Sequence, residues 1–338
     1  VKTSAWPAPN FNQFPLPTIA QAVLVSKQMS ALRYAAKDAF KGRTVLVTGG
    51  GGAIGRAASL AFADAGANVV VNDLPGDPKA PGEGPAERTV KEIKSRKGSA
   101  IAVPGSSSEG QKLVDATVKE FGRIDVIVAL AGIHAATLFE NHTMDDFHRV
   151  LGVNTLGMVS PVLAAWPHFK KQKYGRVITT TSDTIFGTTR LSSYLFSRGA
   201  NFIGSRGLAI EGAEHNILVN SIAPVAASAL SFDYIKDMEP EVRSQYEDQL
   251  RSKFPPEGNV PMILALAHES STITGEAFSL GAYCASRIVL GFQDGVTNVR
   301  TMEEIFERKD EILGSPDKQV KIPTSSEEEM QMLQRSKE

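Results

Sequence analysis

The run Thr48-Gly49-Gly50-Gly51-Gly52-Ala53-Ile54-Gly55 constrains this chain more than any other stretch, because it joins an apolar β-type run to a helical pattern continuing through Leu60 and Phe62. A strand that turns on glycines into a helix gathers backbone N–H groups and a helix N-terminus at one point, where larger side chains would hold an anion away. A bare glycine run is more often a flexible loop; a strand before it, a helix after it and an acid downstream reverse that reading. The acid is Asp73, which closes Val69-Val70-Val71-Asn72. The segment therefore predicts a dinucleotide site, with Gly49, Gly51, Gly52, Ile54 and Gly55 at the pyrophosphate and Asp73 at the adenosine ribose. A carboxylate there repels a 2′-phosphate, so NAD is expected ahead of NADP.

The rest of the chain supplies the alternation such a site needs. Short apolar runs at Thr44 to Val47, Val69 to Asn72, Ile101 to Val103, Asp125 to Val128, Val177 to Thr180, Ile217 to Ile222 and Ala277 to Leu280 are separated by helical patterns. Each crossover must pack a helix back onto the sheet, so the expected class is α/β, a doubly wound parallel sheet of seven strands covered on both faces. Pro75 to Pro85, dense in Pro and Gly, reads as an inserted loop. Three regions follow. Residues 1–40 hold an extended arm to about Pro17 and a helical segment from Ile19 to Phe40. Residues 41–313 hold the core, with an extension from about 282; residues 314–338 form a polar tail, expected to be solvated or loosely docked.

The 338 residues are 42% hydrophobic and 22% charged, with a formal net charge of -1, which are globular proportions. So even a balance offers no broad field to hold nucleic acid or an anionic membrane, and small-molecule chemistry is the expectation. Glycine and charge interrupt the apolar stretches before the roughly 20 residues a membrane helix needs, so none is expected. Cys284 is the sole cysteine, which leaves no internal disulfide or multi-cysteine metal site and fits a reducing compartment. His142, His148, His168, His215 and His268 show no metal-ligand spacing, and no metal is expected.

The Thr48 to Gly55 turn, Asn154, Tyr194 and Asn220-Ser221-Ile222-Ala223-Pro224 together resemble the short-chain dehydrogenase/reductase superfamily, over about Lys41 to Arg287. The strings Val71-Asn72-Asp73-Leu74, Ala165-Trp166-Pro167-His168, Lys171-Gln172-Lys173-Tyr174-Gly175-Arg176, Ile210-Glu211-Gly212 and His268-Glu269-Ser270 are more distinctive. They most resemble the (3R)-hydroxyacyl-CoA dehydrogenase domain of the peroxisomal multifunctional β-oxidation enzyme. Gly275 to Leu313 is similar to that domain's C-terminal extension. The resemblance implies a Rossmann-type fold and a homodimer or homotetramer, with the long helices Asp145 to Lys173 and Tyr194 to Gly212 packed on symmetry mates. Ser336-Lys337-Glu338 differs from a peroxisomal Ser-Lys-Leu ending, so the expected location is cytoplasmic or peroxisomal.

Exchange of a secondary alcohol with a ketone needs a proton acceptor at the hydroxyl, a donor to hold the oxygen and a nearby cation. The resemblance assigns the first role to Tyr194 and the second to Thr181, with Ser182 beside it as the alternative. Arg198 stands where the family has Lys; it keeps the positive charge but cannot release a proton. Asn154 matches the family Asn that orders a relay water. The family's Asn-Asn-Ala-Gly appears as Ala129-Leu130-Ala131-Gly132, the adenine-side Asp as Gly105, and Pro224-Val225 stands where the nicotinamide is capped. Asp183, Arg190 and His134 are additional polar groups near this centre. Asp183 is a candidate to orient substrate or act as a base, whereas Arg190 and His134 are expected to be solvated loop side chains. The activity implied is an NAD(P)-dependent oxidoreductase acting on a secondary alcohol or ketone, like a 3-hydroxyacyl-CoA dehydrogenase. The alternatives are the same scaffold turned to a non-redox cyclisation, dehydration or isomerisation, and a catalytically silent binding protein.

Overall fold

Runs of Val, Ile, Leu and Thr with no polar face form the middle of one sheet, as strands buried on both sides must. In the computed structural model, which describes residues 35–76, 83–293, 295–314, 320–328 and 330, these are β1 (Thr44–Thr48), β2 (Asn68–Asn72), β3 (Ser99–Ala102), β4 (Val126–Ala129), β5 (Gly175–Thr180), β6 (Ile217–Pro224) and β7 (Ala277–Gly281). An eighth strand, β8 (Cys284–Ile288), completes a sheet of order β3-β2-β1-β4-β5-β6-β7-β8. All neighbours run parallel except β7 and β8. β8 corrects the count of seven. The hairpin turns on Ala282 and Tyr283 at φ 51° and 61°, without the Asn-Gly or Asp-Gly pair that marks such a turn in a sequence.

The chain starts at β1, moves outward through β2 and β3, and then returns to β4 on the other side of β1. Thr48 is level with Asn72 on one side and Ala129 on the other, so the strand order reverses at a crevice outside the carboxyl ends of β1 and β4. Open α/β sheets bind their ligands at such a point.

Helices α1 (Ala53–Asp64), α2 (Pro85–Ser95), α3 (Gly110–Phe121), α4 (Met144–Leu151), α5 (Gly157–Gln172) and α6 (Ser192–Gly212) carry the crossovers. On one face Leu113, Val114, Val162, Ala165 and Phe169 of α3 and α5 pack on Leu46, Ile127 and Val177 of the sheet. α7 (Ala229–Ile235), α8 (Pro240–Lys253) and α9 (Val260–Ala267) lie between β6 and β7, while α10 (Met302–Glu307) and α11 (Lys309–Leu313) follow β8.

Between α4 and α5 the five residues Gly152–Leu156 form a π-helical turn, so helix is continuous over Met144–Gln172. These 29 residues, with a mean hydropathy of 1.3 over their most apolar window, are long and apolar enough to cross a bilayer. That departs from the expectation of no such segment, since the π-helical turn carries the helix through Gly152 without a break. Packing accounts for part of the apolar character: Met158, Val162, Ala165 and Phe169 belong to the core, while Leu156 and Leu163 are exposed.

The arm and the first part of the segment Ile19 to Phe40 lie outside the described residues; residues 37–42 are turns, not helix. Part of the polar tail is docked. Lys321 exchanges backbone hydrogen bonds with Phe292, and Arg206 Nη2 donates to the Pro323 carbonyl at 3.0 Å.

Candidate active site

The glycine turn is built by close backbone approach. Gly49 has φ 65°, and a Cβ there would stand 2.8 Å from the Ala131 amide nitrogen. A Cβ at Gly55 would overlap the Gly49 carbonyl, and one at Gly51 would overlap Pro85, the first residue of α2. Gly52 is the N-cap of α1, with no side-chain capping bond and no acid in the first turn. The first-turn amides at Ala53, Ile54 and Gly55 therefore have no capping side chain and suit an external anion. Asp73 closes the turn: its Oδ2 accepts the Gly51 N–H at 2.9 Å and its Oδ1 the Leu74 N–H at 2.8 Å. Each oxygen keeps a further lone pair for a hydroxyl donor. These residues fit a dinucleotide.

Beyond the turn, Ala131 and Gly132 lead to the other half of the site. The face of α6 toward the sheet is polar, with Tyr194, Ser197, Arg198, Asn201 and Ser205 all buried. Arg198 is 2% exposed; its Nη1 donates to the Thr180 carbonyl at 3.0 Å, and its guanidinium lies 5.0 Å from the Tyr194 ring centre. Its Nη2 occupies the place a Cβ on Gly132 would take. The guanidinium thus bridges the ends of β4 and β5, the strands next to which the expected Asn is replaced by Leu130. Its Nε has no hydrogen-bond partner among the described residues.

Asn154 is wholly engaged within the protein. Its Oδ1 accepts the Ile133 N–H at 2.8 Å, and its Nδ2 donates to the Ile133 carbonyl and to Ser197 Oγ, each at 2.9 Å. Its backbone carbonyl accepts from Asn201 Nδ2 at 2.9 Å. The Thr181 hydroxyl is buried and donates to the Arg198 carbonyl at 2.9 Å, while Ser182 Oγ donates to Asp183 Oδ1 at 2.9 Å. Asp183 itself is exposed. At the end of β6, the Val225 N–H donates to the Leu280 carbonyl at 2.8 Å and the Val225 carbonyl accepts from Asn259 Nδ2 at 3.1 Å.

The structure therefore brings Gly49, Ala131, Gly132, Asn154, Arg198 and Tyr194 into one connected group at the carboxyl edge of the sheet. It does not bring in Asp183, whose side chain accepts a hydrogen bond from its neighbour Ser182. His134 corrects its expectation: its side chain is 5% exposed, beneath α7 and beside Tyr194. Arg190, half-exposed, reaches Asp237 at 3.7 Å. Ser197 and Asn201 were not singled out in the sequence. Their signal was there, since polar residues at 194, 197, 201 and 205 recur at helical spacing on a face that must meet the sheet.

A doubly wound sheet with a glycine turn at its switch point and a buried tyrosine on the helix after β5 defines a Rossmann-type oxidoreductase fold. The short chain dehydrogenase family matches residues 43–239. This chain belongs to the short-chain dehydrogenase/reductase family. It is 41% identical over 250 residues to the peroxisomal hydratase-dehydrogenase-epimerase of Neurospora crassa, covering 72% of this chain and 25% of that protein. It is 40% identical over 246 residues to the mouse peroxisomal multifunctional enzyme type 2, covering 72% of this chain and 32% of that protein. The chain thus spans between a quarter and a third of those relatives' length. Among solved structures, a short chain dehydrogenase from Mycobacterium avium superposes with a TM-score of 0.70 at 26% identity, covering 85% of this chain and all of that one.

Proposed function

We propose that this chain is an NAD-dependent oxidoreductase that interconverts a secondary alcohol and a ketone, on a substrate of the 3-hydroxyacyl thioester kind. The observation that carries the reading is the unbroken contact path from the glycine turn to Tyr194, through Ala131, Gly132 and Arg198. A nicotinamide dinucleotide supplies hydride acceptance and donation at its C4 when bound. Gly49, Gly51, Gly52, Ile54 and Gly55 hold its diphosphate, Asp73 its adenosine ribose, and Ala131, Gly132, Pro224 and Val225 line its other half. Tyr194 takes the proton of the carbinol oxygen or returns it to the carbonyl oxygen. Thr181 steadies that oxygen once its hydroxyl rotates away from the Arg198 carbonyl to another staggered position. Arg198 keeps a positive charge behind the Tyr194 ring, and Asn154 fixes the turn at Ile133 as a positioning residue. The names of the relatives, one of them a hydratase-dehydrogenase-epimerase and both peroxisomal, favour dehydrogenation and a peroxisomal address; the thioester class rests on the sequence resemblance.

One observation favours a second reading, the same pocket used without net redox. The cation that would complete the family's catalytic set is anchored inward at Thr180, and Arg cannot pass a proton. Turnover without change in nicotinamide absorbance would establish it.

A homodimer is part of the proposal. Phe196, Ile203 and Ile210 on α6 are 64%, 52% and 59% exposed. Seven residues apart, they form a single apolar stripe, and Leu163 on α5 is exposed as well.

The test is Tyr194→Phe. Turnover of a 3-hydroxyacyl thioester, followed by nicotinamide absorbance, is expected to fall by about 1,000-fold, within the range general acid–base groups contribute. NAD affinity by calorimetry is expected to stay within about twofold, since no cofactor contact of Tyr194 that matters to ground-state binding is removed. Retained turnover removes Tyr194 from the acid/base role, and no heat with NAD or NADP removes the cofactor.

A further inference from the structure

We propose that His134 is a positioning residue that fastens helix α7 across Tyr194, making α7 the cover of the site and His134 its catch. The loop after β4 carries His134 under α7, where its Nε2 lies 3.1 Å from the Leu230 carbonyl oxygen and 3.6 Å from Asp233 Oδ2. A carbonyl only accepts, so Nε2 carries the hydrogen, and the neutral ring is already competent to hold the helix. The same ring stands edge-on to Tyr194 below and to Tyr234 of α7 above, with centres 6.3 Å apart in each case. One imidazole thus touches both the cover and the group covered. Its Nδ1 is buried without a hydrogen-bond partner among the described residues, a cost accepted where the ring's position matters more than full hydrogen bonding.

The groups facing His134 are Tyr194 from α6 and Tyr234 and Asp233 from α7, with Asp233 itself paired to Lys236 at 2.9 Å. A second tie comes from the other loop of the site. Arg190, at φ 66°, reaches Asp237 just past the end of α7, and its carbonyl accepts the Thr137 N–H at 2.8 Å. The root of α7 is fixed differently: Ser228 and Ser231 form a capping box, and the Ala227 N–H donates to the Phe254 carbonyl at 2.8 Å. The chain entering α7 is therefore tied through backbone, His134 holds the helix through Leu230 of its first turn and through Asp233 and Tyr234 one turn on, and Arg190 meets the residue just past its end. A short helix held to the site loops by side chains opens by local release without unfolding of the sheet.

The inference rests on the reading of Tyr194 as the acid/base only in naming what α7 covers. Its test needs neither substrate nor cofactor. In the full chain, trypsin cleavage after Lys236 and Arg243, identified by mass, is expected to accelerate about tenfold in His134→Ala, the equivalent of one hydrogen bond. The urea midpoint is expected to be unchanged. His134→Gln, whose amide can donate to the Leu230 carbonyl, is expected to restore the wild-type rate. An unaltered rate in His134→Ala, or an equal acceleration in both variants, overturns the proposal. Should His134→Ala fail to fold, Asp237→Asn releases the second tie from the surface, and an unchanged cleavage rate there overturns it equally. Tyr194→Phe serves as the control: turnover lost with cleavage unchanged separates the cover from the chemistry.

Discussion

Arg198 shows how one substitution reorganises a site. From sequence, its charge four residues after Tyr194 on one helix face is plain, but the direction of a long side chain is not. Folding turns the guanidinium inward, where it donates to Thr180, a carbonyl that Asn201 Nδ2 also serves at 3.0 Å. Among the described residues no carboxylate pairs with it, so a cation is buried against neutral dipoles alone, which is costly. Arg198→Met keeps most of the bulk and removes the charge. It is expected to raise unfolding stability in urea by about 1 to 3 kcal/mol, the gain seen when buried charges give way to apolar groups of like size. Turnover is expected to fall in the same variant. A loss of stability would mean that the bridge between β4 and β5 outweighs the desolvation of the charge.

Elements differ in how firmly the local sequence specifies them. The β1–α1 turn is specified twice, by flanking periodicity and by glycines at which a Cβ meets backbone. Gly55→Ala is the sharpest check: the added methyl overlaps the Gly49 carbonyl, a backbone atom that cannot rotate aside. Overpacking of this kind costs about 1 to 3 kcal/mol, and NAD binding by calorimetry is expected to be lost while circular dichroism keeps its α/β signature. Unimpaired binding would separate the turn from the cofactor. β8 lies at the other extreme: its only local cue would have been its turn, and the chain there reads Ala282-Tyr283. Its pairing is decided by β7, which offers an edge, and by Arg287, whose Nε and Nη2 donate to Glu276 at 2.7 and 2.6 Å.

For the whole molecule, the exposed stripe on α6 is an apolar face left to solvent in a single copy. Leu163 on α5 is 70% exposed, and Gly199 and Gly207 leave open space beside the stripe. The proposed homodimer places a second copy on this face, whose stripe is apolar and free of charged side chains. Ile203→Asp is expected to shift the molar mass by light scattering from dimer to monomer, because a fully buried Ile contributes about 1.5 to 3 kcal/mol on each side of a twofold axis. A wild-type chain that is monomeric at micromolar concentration would end the proposal.

The sequence by itself determined the class of fold, the first seven strands and the place of the glycine turn, because backbone geometry and burial pattern are written residue by residue at short range. It also marked Tyr194. What only the tertiary structure decided is where the flexible and solvent-facing groups go. His134 reads as a solvated loop residue until α7 covers it, and the hydrogen bonds of the Asn154 amide to Ile133 and Ser197 exist only once the layers are packed. Side-chain partners separated by 21, 43 or 96 residues leave no periodic trace, since they depend on how the packed layers bring distant loops to one edge of the sheet.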